Sequence, residues 1–197
     1  MENEADTMKE EIEIEFKCVV TKTQFDQLVA AFDPGPFQQQ SNHYFDTPDF
    51  LLKEAGAALR IREKGGRAEM TLKEPADTGL LESTVSLSQL EVKDALAGTL
   101  PDNKVISRAA GRAGAANFAH FGTLSTTRAE MAYEGGLLVF DHSTYLGQED
   151  YEIEYEAKDA SGEDVFYQLL KKYGIDYTPA ENKIRRFYHA LTQHGGN

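Results

Sequence analysis

The chain has 197 residues, 41% of them hydrophobic and 27% charged, with a net charge of −13, no tryptophan and one cysteine. That is the composition of one globular domain over residues 1–197, and the acidic balance excludes a general nucleic-acid binder, which needs a basic footprint for phosphates. With no apolar run long enough to span a bilayer, no targeting pattern in MENEADTMKEE and a lone thiol, a cytoplasmic protein without a membrane partner is expected.

Residues 1–9 are expected to be flexible, and the first strand falls at 11–20. Within EIEIEFK, period two puts Glu11, Glu13, Glu15 and Lys17 on one face, and Ile12, Ile14, Phe16 and a buried Cys18 on the other. The apolar residues are read as holding this strand under helices, with Glu11 at the rim. Thr21 then caps a helix carrying Phe25, Leu28, Val29 and Phe32, which Pro34-Gly35-Pro36 ends. Further strands follow at 38–46, 57–64, 67–74 and 80–86. Tyr44 and Asp46 either line an inner surface or pin a strand corner.

The Gly65-Gly66 pair signals a hairpin between the third and fourth strands, and Gly135-Gly136 another between the sixth and seventh. Helices are expected over 88–97 and 103–121, strands over 123–134, 137–146 and 150–158, and final helices over 162–173 and 179–194. The five histidines, His43, His120, His142, His189 and His194, show no metal-ligand spacing.

The same parity test separates the charges strand by strand. Arg60 and Arg62 share a face, as do Glu69, Thr71 and Lys73; Thr126, Arg128 and Glu130; and Glu152, Glu154 and Glu156. Asp141 keeps company with Val139 and Ser143, and Glu82 joins the pattern. A solvated face mixes its polar residues, whereas here acids concentrate on the first and last strands and cations on the middle ones. The expected fold is therefore α+β: an eight-stranded antiparallel closed barrel with a charged interior, its apolar parity covered by five helices. A charged tunnel disfavours lipid transport. Its carboxylates Glu13, Glu15, Glu152 and Glu154 suit Mg²⁺ or Mn²⁺, and Lys17, Arg60, Arg62, Lys73 and Arg128 suit phosphate oxygens, so a polyphosphate chain is the ligand that uses both.

These residues resemble the CYTH superfamily, the triphosphate tunnel metalloenzymes. The resemblance runs through Glu13-Ile14-Glu15-Phe16-Lys17 (the ExExK signature), YFDTPD at 44–49, LRIR at 59–62, TLK at 71–73, TTR at 126–128 and YEIEYE at 151–156. It is strongest to a bacterial CYTH subgroup of Gram-positive organisms. The resemblance implies a tunnel that binds a triphosphate with divalent metal and hydrolyses it. By position it assigns metal to Glu13, Glu15, Asp141, Glu152 and Glu154, and phosphate to Lys17, Arg60, Arg62, Lys73, Arg128 and Lys183. Lys17, Lys73 or Lys183 is a candidate for handling a proton, with the base left unassigned, and strand parity places Glu82 and Glu130 along the tunnel. Arg185 and Arg186 adjoin Lys183 without separable roles.

Three functions stay open: a metal-dependent hydrolase of inorganic, thiamine or nucleoside triphosphate; a class IV type adenylyl cyclase; and a noncatalytic polyphosphate binder, as monomer or homodimer. The absence of tryptophan, the largest stacking platform, tilts the choice towards inorganic triphosphate.

Overall fold

A computed structural model describes residues 7–178 and 180–194. Most of the segment expected to be flexible, and Pro179 at the start of the expected last helix, lie outside the described residues.

Eight strands form a closed antiparallel barrel in the order β1-β5-β4-β3-β2-β6-β7-β8. They are β1 (Lys9–Val20), β2 (Gln38–Asp46), β3 (Ala58–Lys64), β4 (Arg67–Pro75), β5 (Leu80–Leu87), β6 (Ala119–Tyr133), β7 (Gly136–Tyr145) and β8 (Gln148–Ala157). Among the described residues there are six helices: α1 (Lys22–Phe32), α2 (Leu51–Glu54), α3 (Gln89–Leu96), α4 (Lys104–Ala113), α5 (Gly162–Lys172) and α6 (Lys183–His194). Among the described residues, no helix is long and apolar enough to cross a membrane.

The chain folds as two compact units, one holding β1 up to Glu13 with residues 40–124, the other Ile14–Gln39 with the chain from Ser125 onward. In the first unit, Phe45, Leu59, Ile61, Met70, Leu72 and Val85 turn one parity of the strands towards Leu52 of α2, Val92 and Ala95 of α3, and Val105 and Ala109 of α4. Burying that layer is the main driving force of this half. The opposite parity, turned into the barrel, carries Asn42, Arg60, Arg62, Thr71, Lys73 and Glu82. Its neighbours are bonded, as in the Thr71–Thr84 hydroxyl pair at 3.0 Å.

In the second unit, Cys18, Val20, Ala129, Leu138, Phe140 and Ile153 pack under Phe25 and Leu28 of α1 and Phe166, Leu169 and Leu170 of α5. Thr21 caps α1 as expected, in a reciprocal capping box with Gln24. The inward parity here holds Glu15, Lys17, Arg128, Asp141, Glu152 and Glu154. The register sets Lys17 opposite Glu154, Arg128 opposite Asp141 and Asp141 opposite Glu152.

Four expectations need correction. Ile12 is 53% exposed, so that part of β1 is held by pairing with β5 rather than by helix cover. The helix expected over 103–121 ends at Ala113, where Gly114 takes a left-handed conformation, and residues 119–121 already belong to β6. Helix α2 was not expected: its four residues are too few for a periodic signal, and its cap is remote in sequence. Asp46 accepts from the amides of Thr47 at 2.7 Å, Leu52 at 2.9 Å and Lys53 at 3.0 Å, so it is the corner pin rather than an inner-surface residue. Lastly, the helix expected over 179–194 begins at Lys183, where the Asn182 carbonyl accepts from the amides of Arg185 and Arg186; the expected β6–β7 hairpin is present, turning on Glu134 and Gly135 with positive φ.

Candidate active site

The second unit gathers three carboxylates in its interior. Asp141, Glu152 and Glu154 are 0%, 1% and 3% exposed, and oxygens from all three lie within 4.8 Å of one another. Strand alternation supplies two of them: Glu152 and Glu154 share the inward face of β8, and Asp141 stands beside Glu152 on β7. Among the described residues this is the one group of three or more such side chains fit to hold a metal ion.

Such acids are not stable bare, and three cations offset them. Arg128 donates from Nε to Asp141 Oδ1 at 2.7 Å and from Nη2 to Asp141 Oδ2 at 2.6 Å, and Nη2 also reaches Glu154 Oε2 at 2.8 Å. Lys183, the first residue of α6, puts its ammonium 2.8 Å from Asp141 Oδ2 and 2.5 Å from Glu152 Oε1, and bonds Glu154 as well. Arg186 lies one helical turn on and therefore on the same face; it donates to Glu152 Oε2 at 2.5 Å and to Asp150 Oδ2 at 2.9 Å. Tyr145 closes the chain by donating its hydroxyl to Asp150 at 2.6 Å. Lys17 bonds Glu15 on its own strand.

The protonation states follow from these contacts. Burial pushes Glu152 up to about 7, against the pull of Lys183. Burial acts on Glu154 in the same sense, but Lys183 and Arg128 outweigh it and hold that carboxyl well below the usual range. For Asp141, too, Lys183 and Arg128 overcome burial and depress the carboxyl. Burial disfavours the ammonium of Lys183, yet Asp141, Glu152 and Glu154 raise its pKa well above the ordinary lysine value. Lys17 is likewise raised, its burial outweighed by Glu15 and Glu154.

The first unit carries a smaller cluster on its inward face. Lys73 lies 2.5 Å from Glu13 Oε2 and also bonds Glu82. Glu82 is kept ionised against burial by Lys73 and Arg60. Arg62 donates to Asn42 Oδ1 at 3.0 Å, so its guanidinium is aimed by a neutral amide on the neighbouring strand.

Residues 11–188 match the family model described as CYTH domain. The chain belongs to the CYTH family. It is 46% identical, over 92% of its length and 96% of the relative's, to a Bacillus subtilis (strain 168) protein named "Putative triphosphatase YjbK". A Bacillus halodurans protein of known crystal structure, described as a "putative adenylate cyclase", is 45% identical over 91% of this chain and 98% of its own, with a TM-score of 0.85. HpAC1 from Hippeastrum shares the fold at 23% identity and a TM-score of 0.77, covering 90% and 96% of the two chains.

Within this CYTH domain the expected metal set divides. Asp141, Glu152 and Glu154 come together, whereas Glu15 holds Lys17 and Glu13 holds Lys73. Glu130, expected to line the tunnel, is exposed, although it shares the parity of the buried Arg128. Asp150 and Tyr145 were missed, and Arg186 was left without a role. Asp150 has the parity of Glu152 and Glu154, and Arg186 the helical spacing from Lys183, so both were readable as neighbours of assigned residues. Tyr145 has the parity of Asp141 and Ser143 on β7, the same signal, two residues further on. Three hard oxygen donors this close and this buried fit Mg²⁺ or Mn²⁺, and fit a soft metal poorly.

Proposed function

We propose that this CYTH domain hydrolyses the terminal phosphoanhydride of a triphosphate, with Mg²⁺ or Mn²⁺ held by Asp141, Glu152 and Glu154. The observation that carries the reading is the convergence of three buried carboxylates with Arg128 and Lys183 on one inward surface. Anionic ligand and divalent cation each need the partner that this surface supplies. The triphosphatase name of the 46% identical Bacillus subtilis relative supports the reaction class.

Hydrolysis joins a water oxygen to the terminal phosphorus and breaks that atom's bond to the bridging oxygen, on which negative charge grows. A bound divalent cation supplies charge neutralisation and lowers the pKa of water. The protein's own share is positioning and charge stabilisation, as phosphoryl transfer requires. Lys17 and Lys183, with raised pKa values, are ammonium groups that donate to phosphoryl oxygens rather than bases that take a proton from water. Arg128 has the planar fork for a second oxygen pair. Arg60, Arg62 and Lys73 are proposed as further phosphate contacts, and Glu13 and Glu15 as further metal ligands, on their match to the family motifs. Inorganic triphosphate is the proposed substrate because the chain contains no tryptophan on which an organic ring would stack.

The test is phosphate release by purified protein with Mg²⁺ or Mn²⁺, across triphosphate, thiamine triphosphate, ATP and pyrophosphate. Release from triphosphate that vanishes in Glu154→Gln is the expected result. The description of the Bacillus halodurans structure favours a second reading, ATP cyclisation. Cyclic AMP as the main product would establish that reading and overturn the hydrolase; tight triphosphate binding without turnover would overturn both.

A further inference from the structure

The ammonium of Lys183 occupies the point on which the three carboxylates converge, bonded to Asp141, Glu152 and Glu154 together. These are the same three groups that form the candidate cation site. An ammonium held by all three acids and a divalent ion held by all three need the same oxygens. All six oxygens of these carboxylates are already engaged by Arg128, Arg186 or Lys183, so a divalent ion must take its oxygens from one of these cations.

The three are not equally free to leave. Arg128 is fixed by two parallel bonds to Asp141, and Arg186 is tied to Asp150 as well as to Glu152. Lys183 is a compact charge on a flexible four-carbon stem at the first position of α6, so its withdrawal from the acids also releases and loosens the end of the helix that it tethers. We propose that Lys183 is an internal, displaceable cation. It fills the carboxylate cluster of the metal-free protein, gives way to a divalent ion, and then turns its ammonium to the phosphate chain, so that metal loads before triphosphate. The second half of this cycle rests on the triphosphate reading above; the first half does not.

An internal competitor makes a signature that a plain phosphate ligand or a plain structural ion pair does not. Its removal tightens metal binding while weakening triphosphate binding. Calorimetric titration of the full chain with Mn²⁺ alone is expected to show Lys183→Met binding about tenfold tighter than wild type, with Lys183→Arg no tighter. In wild-type protein, Mn²⁺ is expected to raise amide hydrogen exchange in the first turn of α6, and inorganic triphosphate to restore its protection. Equal or weaker Mn²⁺ binding by a folded Lys183→Met overturns the proposal. So does unchanged exchange at α6 in Mn²⁺-saturated wild type, which decides the matter if the variant does not fold. Failure to detect Mn²⁺ binding in either protein also overturns it. If Mn²⁺ shifts the exchange but triphosphate is not hydrolysed, the hydrolase reading fails and displacement by metal stands. Hydrolysis without a change in Mn²⁺ affinity sinks displacement alone.

Discussion

Arg128 grips Asp141 through two parallel hydrogen bonds, 2.7 Å and 2.6 Å long, between a guanidinium 9% exposed and a carboxylate 0% exposed. The pair is adjacent across β6 and β7, so the strand register alone brings the fork to the acid. Removing Arg128 leaves Asp141 and Glu154, both buried, to share Lys183 without the guanidinium fork. Arg128→Met is therefore expected to cost about 3–5 kcal/mol in urea unfolding. Arg128→Lys keeps the charge but cannot span both oxygens, so it should unfold at intermediate urea while losing most phosphate release. Equal stability of wild type and Arg128→Met would contradict this account.

Asp46 offers a test of the corner that leads into α2. One carboxylate serves three backbone amides, those of Thr47, Leu52 and Lys53, all close to the strand end. Asp46→Ala strands these donors and is expected to cost about 1–3 kcal/mol in unfolding free energy, with Asp46→Asn in between. Mn²⁺ affinity should not change in either variant. A selective loss of metal binding at unchanged stability would instead make Asp46 part of the site.

Much of this architecture is legible in the sequence because a barrel strand is written in period two. Leu59, Ile61, Met70 and Leu72 declare the outward face, and Arg60, Arg62 and Lys73 the inward one, without knowledge of strand order. Partners are a different matter. Lys73 meets Glu13 across 60 residues of sequence because β5 pairs with both β4 and β1, and Lys183 meets Glu152 across 31 because the start of α6 lies against β8. The list of charged residues is thus readable, while the division of Glu13 and Glu15 from Asp141, Glu152 and Glu154 is not. Short elements fare worst. Helix α2 has one turn and a cap six residues away, and the exposure of Ile12 depends on where helix cover stops.

Tyr145 gives a pH prediction with a spectroscopic readout. Burial, then the hydrogen bond its hydroxyl donates to Asp150, raises its pKa from the ordinary tyrosine value of 10.0 to about 12. The folded value lies above the unfolded one, so the neutral phenol favours the fold. That contribution is fully present below pH about 10 and is lost as pH rises through about 12. Ultraviolet titration of tyrosinate should show the last ionising tyrosine disappear in Tyr145→Phe. The variant's stability should also depend less on pH across that window. Loss of an early-ionising tyrosine in the variant would refute the assignment.

Gly136 tests the close approach of β7 and β8 directly. A Cβ built on it would lie 2.5 Å from the backbone oxygen of Glu156 and 2.6 Å from the ring of Tyr155. The first contact is with paired backbone, which cannot rotate away as a side chain can. The Tyr155 ring is fixed too, since its hydroxyl donates to the carbonyls of Tyr133 at 3.2 Å and Glu134 at 3.1 Å, and it stacks on Phe166 of α5. Gly136→Ala must therefore push β7 away from β8 or expel Tyr155 from the core. An overpacking cost of about 1–3 kcal/mol is expected, read as a lower urea midpoint. Gly65→Ala makes the contrast: no atom lies within 4 Å of its Cβ, and its positive φ of 58° is the only strain. It should cost less, about 1 kcal/mol, and leave the β7–β8 amides protected from exchange. Gly136→Ala is expected to open those amides, and wild-type protection there in the variant would show that the strands accommodate a methyl group after all.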